Sequence, residues 1–176
     1  MSKIRTVGGQ LIDLYYPWAN THFDIQDIAH ALGRIQRFNG HLKTDYSVAD
    51  HSIFVARHWP DAATRREALM HDAHEAFVGD LPAPMKMLIP DYVTLERRVQ
   101  TVLFHRFGMD LRTVLTPEFC TLDRRAALTE ARAFRNPDEE WEGIVPFTCR
   151  IQAQVYPDIS FLQAWEKGVE LCPCTR

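Results

Sequence analysis

The amino-acid sequence predicts an all-α domain, a single helical bundle with a small N-terminal β-hairpin. Three observations carry that reading. From Asp24 onward, apolar side chains recur at helical spacing. Strand-like alternation is confined to one stretch, "IRTVGGQLIDLYY". Residues that open and close helices stand between the periodic runs. The 176 residues, 46% hydrophobic and 24% charged, suit one domain over 1–176 with a sizeable core.

Each element has its own signal. Gly8-Gly9 is a two-residue hairpin turn. Asp24 caps a helix in which Ile25, Ile28, Ala29, Leu32 and Ile35 share one face, and Asn39-Gly40 breaks the pattern. Ser47 and Asp50 are spaced as a capping box ahead of "VADHSIFVARHW". Pro60-Asp61 opens a helix expected to run through Leu69, Met70, Ala73 and Phe77 and to end at Gly79-Asp80. "LPAPMKML" reads as a short helix, because proline is tolerated in a first turn. "DYVTLERRVQTVLFHRFG" is the clearest amphipathic segment. Tyr92, Leu95, Val99, Val102, Leu103 and Phe107 turn inward and Gly108 stops it. "PEFCTLDRRAALTEARAF" follows, burying Phe119, Leu122, Ala126 and Ala133. Residues 136–157 are irregular, and a last helix is expected from Asp158 to Leu171.

The net charge of −3 argues against a broad nucleic-acid-binding face, although one anionic small molecule needs only a local group of cations. No apolar run approaches the ~18–20 residues of a membrane span. The N-terminus lacks the apolar block of a signal peptide. These points lead to an expectation of a cytoplasmic protein with neither a membrane nor a stable nucleic-acid partner. The four cysteines, Cys120, Cys149, Cys172 and Cys174, form no C-x-x-C pair, so no zinc knuckle is expected. The terminal "CPC" reads as a frayed thiol-bearing tail rather than a metal site, with all four thiols free in a reducing compartment.

The chemistry concentrates in "MHDAHEAFVGD", residues 70–80. On a helix, residues three and four apart share a face, so His71, Asp72 and Glu75 occupy one flank. Imidazole with carboxylate makes a mixed N/O donor set suited to Mn, Fe, Co, Ni or Zn. Two donors are too few, and His51 and Asp123 each bring one more ionisable group against an apolar surface. Burying such groups is costly unless they are paired or coordinated. From spacing alone, two readings stay open: a solvated helix face, or convergence on an ion. His30, His58 and His105 read as surface residues; His74 reads as a surface histidine or as a support behind the ligands. The H-E-x-x-H, zinc-deaminase and phosphate-loop motifs are absent.

His51, then "HD" at 71–72, then Asp123, resembles the HD-domain phosphohydrolases. "YSVADHS" and "HDAHEAFVGDLPAPMK" resemble in particular the YfbR/YfdR-type 5'-deoxynucleotidases, whose phage relatives include dNTP triphosphohydrolases. The similarity runs from about Phe23 to Phe134, with the domain core at about 23–135. It implies one divalent transition metal (Co, Mn or Zn, with Mg, Ni or Fe as further options) held by His51, His71, Asp72 and Asp123. It implies that Glu75 positions or activates the attacking water and that Asp80 contacts the sugar and supports catalysis. "IQRFNGH" resembles the family's Arg-aromatic pair. By that resemblance Arg37 holds the phosphate, Phe38 packs on the sugar, and Lys86 faces the phosphate or solvent. Phe38 stands where the nucleotidase pattern carries Trp.

The function implied is metal-dependent removal of the 5'-phosphate from (deoxy)ribonucleoside monophosphates, by a nucleotide-binding homo-oligomer. The first rival is a triphosphohydrolase, with Arg34, Lys43, Arg124 and Arg125 as the extra cations it needs. The second is a non-catalytic, metal-stabilised helical module.

Overall fold

The computed structural model describes residues 3–20, 22–170 and 172. Strands β1 (Lys3–Arg5) and β2 (Leu11–Asp13) pair antiparallel, with Ile4 opposite Ile12. Their turn is longer than the two residues expected. The Gly9 amide donates to the Thr6 carbonyl, and the Thr6 amide to the Gln10 carbonyl. Gly9 takes φ +89°, which a side chain disfavours. Gly8 instead lets the hairpin dock. Its amide donates to Asp27 Oδ1 at 2.7 Å, and a Cβ there would lie 2.7 Å from that oxygen.

Eight α-helices follow among the described residues: α1 (Ile25–Leu32), α2 (Val48–His58), α3 (Arg65–Leu69), α4 (Glu75–Val78), α5 (Ala83–Lys86), α6 (Pro90–Arg106), α7 (Pro117–Phe134) and α8 (Pro157–Lys167). The caps act as the sequence suggests. Asp24 accepts from the Gln26 amide, and Ser47 and Asp50 close a reciprocal capping box. Three short 3-10 turns lie at Pro17–Ala19, Arg37–Gly40 and Leu111–Leu115. α8 stops earlier than expected, at Lys167, because Gly168 takes φ +87°; Leu171 lies outside the described residues. Ala133 is exposed, whereas Leu128 and Glu130 turn inward.

Buried apolar side chains form one cluster from Ile12 in the hairpin to Phe161 in α8. α2 lies at its centre, with ten of its eleven residues buried, packed against α3, α7 and α8. At about 25 cal/mol per Å² of apolar surface removed from water, such a helix is held by burial rather than by propensity. No helix among the described residues is long and apolar enough to cross a membrane.

The principal departure lies in "MHDAH". One helix was expected through residues 61–77, yet α3 ends at Leu69 and α4 begins at Glu75. Between them the amides of Ala73, Glu75 and Phe77 reach back three residues rather than four. The cause is local. His71 Nδ1 donates to the Ala68 carbonyl at 2.9 Å, the acceptor that Asp72 would use in a continuing α-helix.

Candidate metal centre

Each candidate ligand comes from a different element or turn. His51 projects from the middle of α2, His71 and Asp72 from the tight turns before α4, and Asp123 from the second turn of α7. They meet. His51 Nε2 lies 2.9 Å from Asp123 Oδ1 and 3.7 Å from Asp72 Oδ2. His71 Nε2 lies 3.0 Å from Asp72 Oδ2 and 3.9 Å from Asp123 Oδ1. His51 is fully buried, while the Asp123 side chain is 38% exposed and marks the side open to solvent.

This donor set fits a cation. Donors sharing an ion through bonds of about 2.1 Å stand about 3.0 Å apart across a right angle and about 3.4 Å across a tetrahedral one. The four separations bracket those values. His71 Nε2 is buried with no hydrogen-bond partner, although a carboxylate oxygen stands beside it. With Nδ1 donating to Ala68, Nε2 is the nitrogen turned to that oxygen, and a cation between them satisfies both. His51 is fixed in the same way from behind, Nδ1 meeting Glu130 Oε1 at 2.6 Å. Carboxylate–histidine pairs of this kind orient metal-ligating imidazoles.

The electrostatics agree. Burial and Arg37 both act to lower the pKa of His51, but Glu130 and the hydrogen bonds to Asp123 and Glu130 outweigh them and push it up to about 10. Burial works against the ionised forms of Asp72 and Asp123. The imidazoles nevertheless hold Asp72 well below the usual carboxylate range and Asp123 below it. Burial, then the neighbouring Asp72 and Asp80 charges, raise the Glu75 carboxyl well above its usual range. Glu75 Oε2 has no hydrogen-bond partner, and Oε1 lies 3.9 Å from Lys86 Nζ.

The substrate-binding candidates gather in a cleft of about 850 Å³ whose lining includes Arg37, Phe38, Asp72, Asp80, Lys86 and Asp123. Arg37 is engaged by Glu130 at 3.4 Å and Asp80 at 3.6 Å, which leaves its buried Nε unpaired. Phe38 and Asn39 take left-handed backbone angles, φ +54° and +53°, followed by Gly40 at +75°. Such backbone costs of order 1–3 kcal/mol per residue and is commonest at functional sites. The Phe38 ring is flanked by the guanidinium groups of Arg37 and Arg135. Lys86 pairs with Glu96 at 2.8 Å. Of Arg34, Lys43, Arg124 and Arg125, only Arg124 lines the cleft.

Two participants, Glu130 and Glu96, went unread in the sequence. Glu130 is fully buried beneath His51, Arg37 and the hydroxyl of Tyr46. It follows Asp123 by seven positions, a spacing that returns to the same helix face. Glu96, beside Leu95 on the buried face of α6, holds Lys86 and lies 3.7 Å from His74. His58, expected at the surface, and His74, expected there or behind the ligands, are 3% and 6% exposed. His105 is exposed as expected, and His30 is half-buried. Cys172 does not fray: its amide donates to the Arg57 carbonyl at 2.8 Å. Cys174 lies outside the described residues.

No family model matches the chain. It is similar to YfdR of Escherichia coli (strain K12), 42% identical over 110 residues, which cover 62% of this chain and 60% of YfdR. A Rhodobacter capsulatus protein is 39% identical over 114 residues, covering 60% of this chain and 58% of its own length. Both relatives are named as uncharacterized. The chain thus spans less than two thirds of the curated relatives it matches. What the fold and site establish is a mostly helical protein with a buried His/Asp cluster able to hold a metal ion.

Proposed function

We propose that the chain is a divalent-metal-dependent phosphohydrolase of the HD superfamily that removes the 5'-phosphate from nucleoside monophosphates. The observation that carries this reading is the convergence of His51, His71, Asp72 and Asp123 at an open cleft. The cleft volume lies within the range usual for small-molecule sites. Cobalt, manganese and zinc suit the donor set best.

A bound divalent ion supplies activation of water and polarisation of a phosphoryl oxygen. Glu75, with its raised carboxyl and open Oε2, takes the proton as the water oxygen bonds to phosphorus. The bond from phosphorus to the 5'-oxygen breaks, and the leaving oxygen recovers a proton from Glu75. Arg37 and Lys86 face the charge on the phosphoryl oxygens, with Asp80 setting the guanidinium in place. Phe38 offers an apolar face to the sugar. The reading includes a homo-oligomer, which light scattering tests.

A second reading, triphosphate release from a dNTP, has support from Arg124, Arg135 and His41, which line the same cleft. Incubation with ribo- and deoxy-, mono- and triphosphates under Mn, Co, Zn and Mg separates the two. Inorganic phosphate from a monophosphate supports the first, and tripolyphosphate from a triphosphate the second. Bound metal with no turnover on any of them would leave a metal-stabilised module.

A further inference from the structure

The end of α2 carries a second cluster, remote from the cleft lining. His58 Nε2 lies 3.4 Å from Cys149 Sγ, and donor atoms of His58, Cys149 and Cys172 all lie within 4.8 Å of one another. We infer that His58, Cys149 and Cys172 form a thiolate-rich zinc site that fastens the segment after α7 and the C-terminal region to the end of α2.

Four observations carry the inference. The His58 tautomer is set, since Nδ1 donates to the Phe54 carbonyl at 2.8 Å and so presents the Nε2 lone pair to the sulfur atoms. A backbone carbonyl behind a ligating imidazole is the usual supporting contact of a metal site. The separation also fits: nitrogen and sulfur bound tetrahedrally to one zinc, at about 2.05 and 2.3 Å, stand about 3.6 Å apart. A thiol donating to the imidazole explains that one distance equally well, but it leaves unexplained why a second thiol comes to the same place. Cys172 is brought there by its own amide, which donates to the Arg57 carbonyl one residue before His58.

The His58 imidazole packs against the rings of Phe54 and Phe147, with centroids 4.3 and 4.1 Å away, and the Arg125 guanidinium lies over Phe147 at 4.2 Å. Nitrogen with two sulfurs is a donor set for zinc, unlike the oxygen-rich set at the cleft. Three protein donors leave one tetrahedral position for water or a further thiolate.

Cobalt distinguishes this site from the other, because only a thiolate gives the near-ultraviolet sulfur-to-cobalt charge-transfer band. The full-length, metal-free chain titrated with Co²⁺ is expected to develop that band, which Zn²⁺ then bleaches. Cys149→Ser and Cys172→Ser are each expected to abolish it. A measurement on the unaltered protein guards against variants that fail to fold. Zinc is expected to slow alkylation of Cys149 and Cys172 at least ~10-fold, while the exposed Cys120 reacts unhindered. No band in the unaltered protein, a band that survives both substitutions, or equal alkylation with and without zinc overturns the assignment.

Discussion

Replacing Glu130 by Gln tests the support beneath the metal centre. The carboxylate is fully buried and holds His51 Nδ1 at 2.6 Å, the Tyr46 hydroxyl at 3.3 Å and Arg37 at 3.4 Å. Glutamine keeps an acceptor but removes the charge. Arg37 is then left with Asp80, 3.6 Å away, as its one close carboxylate. Breaking a buried pair from one side costs about 3–5 kcal/mol. The retained acceptor puts this substitution near the lower end, about 3 kcal/mol. At ~2–4 °C per kcal/mol for a chain of this size, the midpoint of thermal unfolding should fall by about 6–12 °C. Weakening the partner of a ligating histidine should also lower metal affinity by about 10- to 100-fold. Calorimetric titration with Co²⁺ or Mn²⁺, beside a thermal melt, measures both. Tyr46→Phe is the control: it removes one hydrogen bond to the same carboxylate, costs about 1 kcal/mol and leaves metal affinity in place. If Glu130→Gln lowers the melting midpoint but binds metal as tightly as the unaltered chain, Glu130 is a fold element and its part in aiming His51 is refuted.

Asp72→Ala should lose stoichiometric metal and turnover together, read by elemental analysis and phosphate release; full metal occupancy would exclude Asp72 as a ligand. Glu75→Gln should keep the metal and lower turnover by about 10²–10⁴-fold, and unchanged rates would remove Glu75 from proton transfer. Phe38→Asn puts a residue tolerant of left-handed backbone at φ +54°, so stability should hold while KM rises. A stability loss above ~2 kcal/mol would show Phe38 to be core. Glu96→Gln should flatten the acid limb of the stability profile. Burial alone would raise the Glu96 carboxyl, but the nearby His74 and Lys86 lower it below 4.5. The unfolded chain therefore takes up this proton first as the pH falls below about 4.5, and the stability Glu96 contributes above that pH is lost. An acid limb unchanged in Glu96→Gln would contradict this.

The sequence made the helices legible where their ends are chemically marked. Asp24, Ser47 with Asp50, and Gly108 act through short-range contacts that periodicity and capping rules describe. The break at 70–74 was hidden because "MHDAHEAF" has helical spacing throughout, and only a side chain taking the Ala68 carbonyl stops the ladder. An ionisable group against apolar neighbours marked His51 and Asp123 as candidates, and resemblance joined them to His71 and Asp72. Beside apolar neighbours either residue reads as a solitary buried or surface group, and the fold alone brings them within 2.9 Å of each other. Glu130 and His58 were missed for a related reason. Each lies seven positions beyond a candidate ligand on the same helix, two turns away, where the three- and four-residue spacing of a single turn does not reach.

α2 acts like a beam bolted at two points. His51 is gripped by Glu130 and Asp123, and two turns further, about 10 Å along the axis, His58 is gripped beside Cys149. A rod held at one point still swivels and slides; held at two along one edge, it does neither. The sulfur end and the cleft therefore share one rigid, buried element, and neither imidazole can shift along the axis without carrying the other.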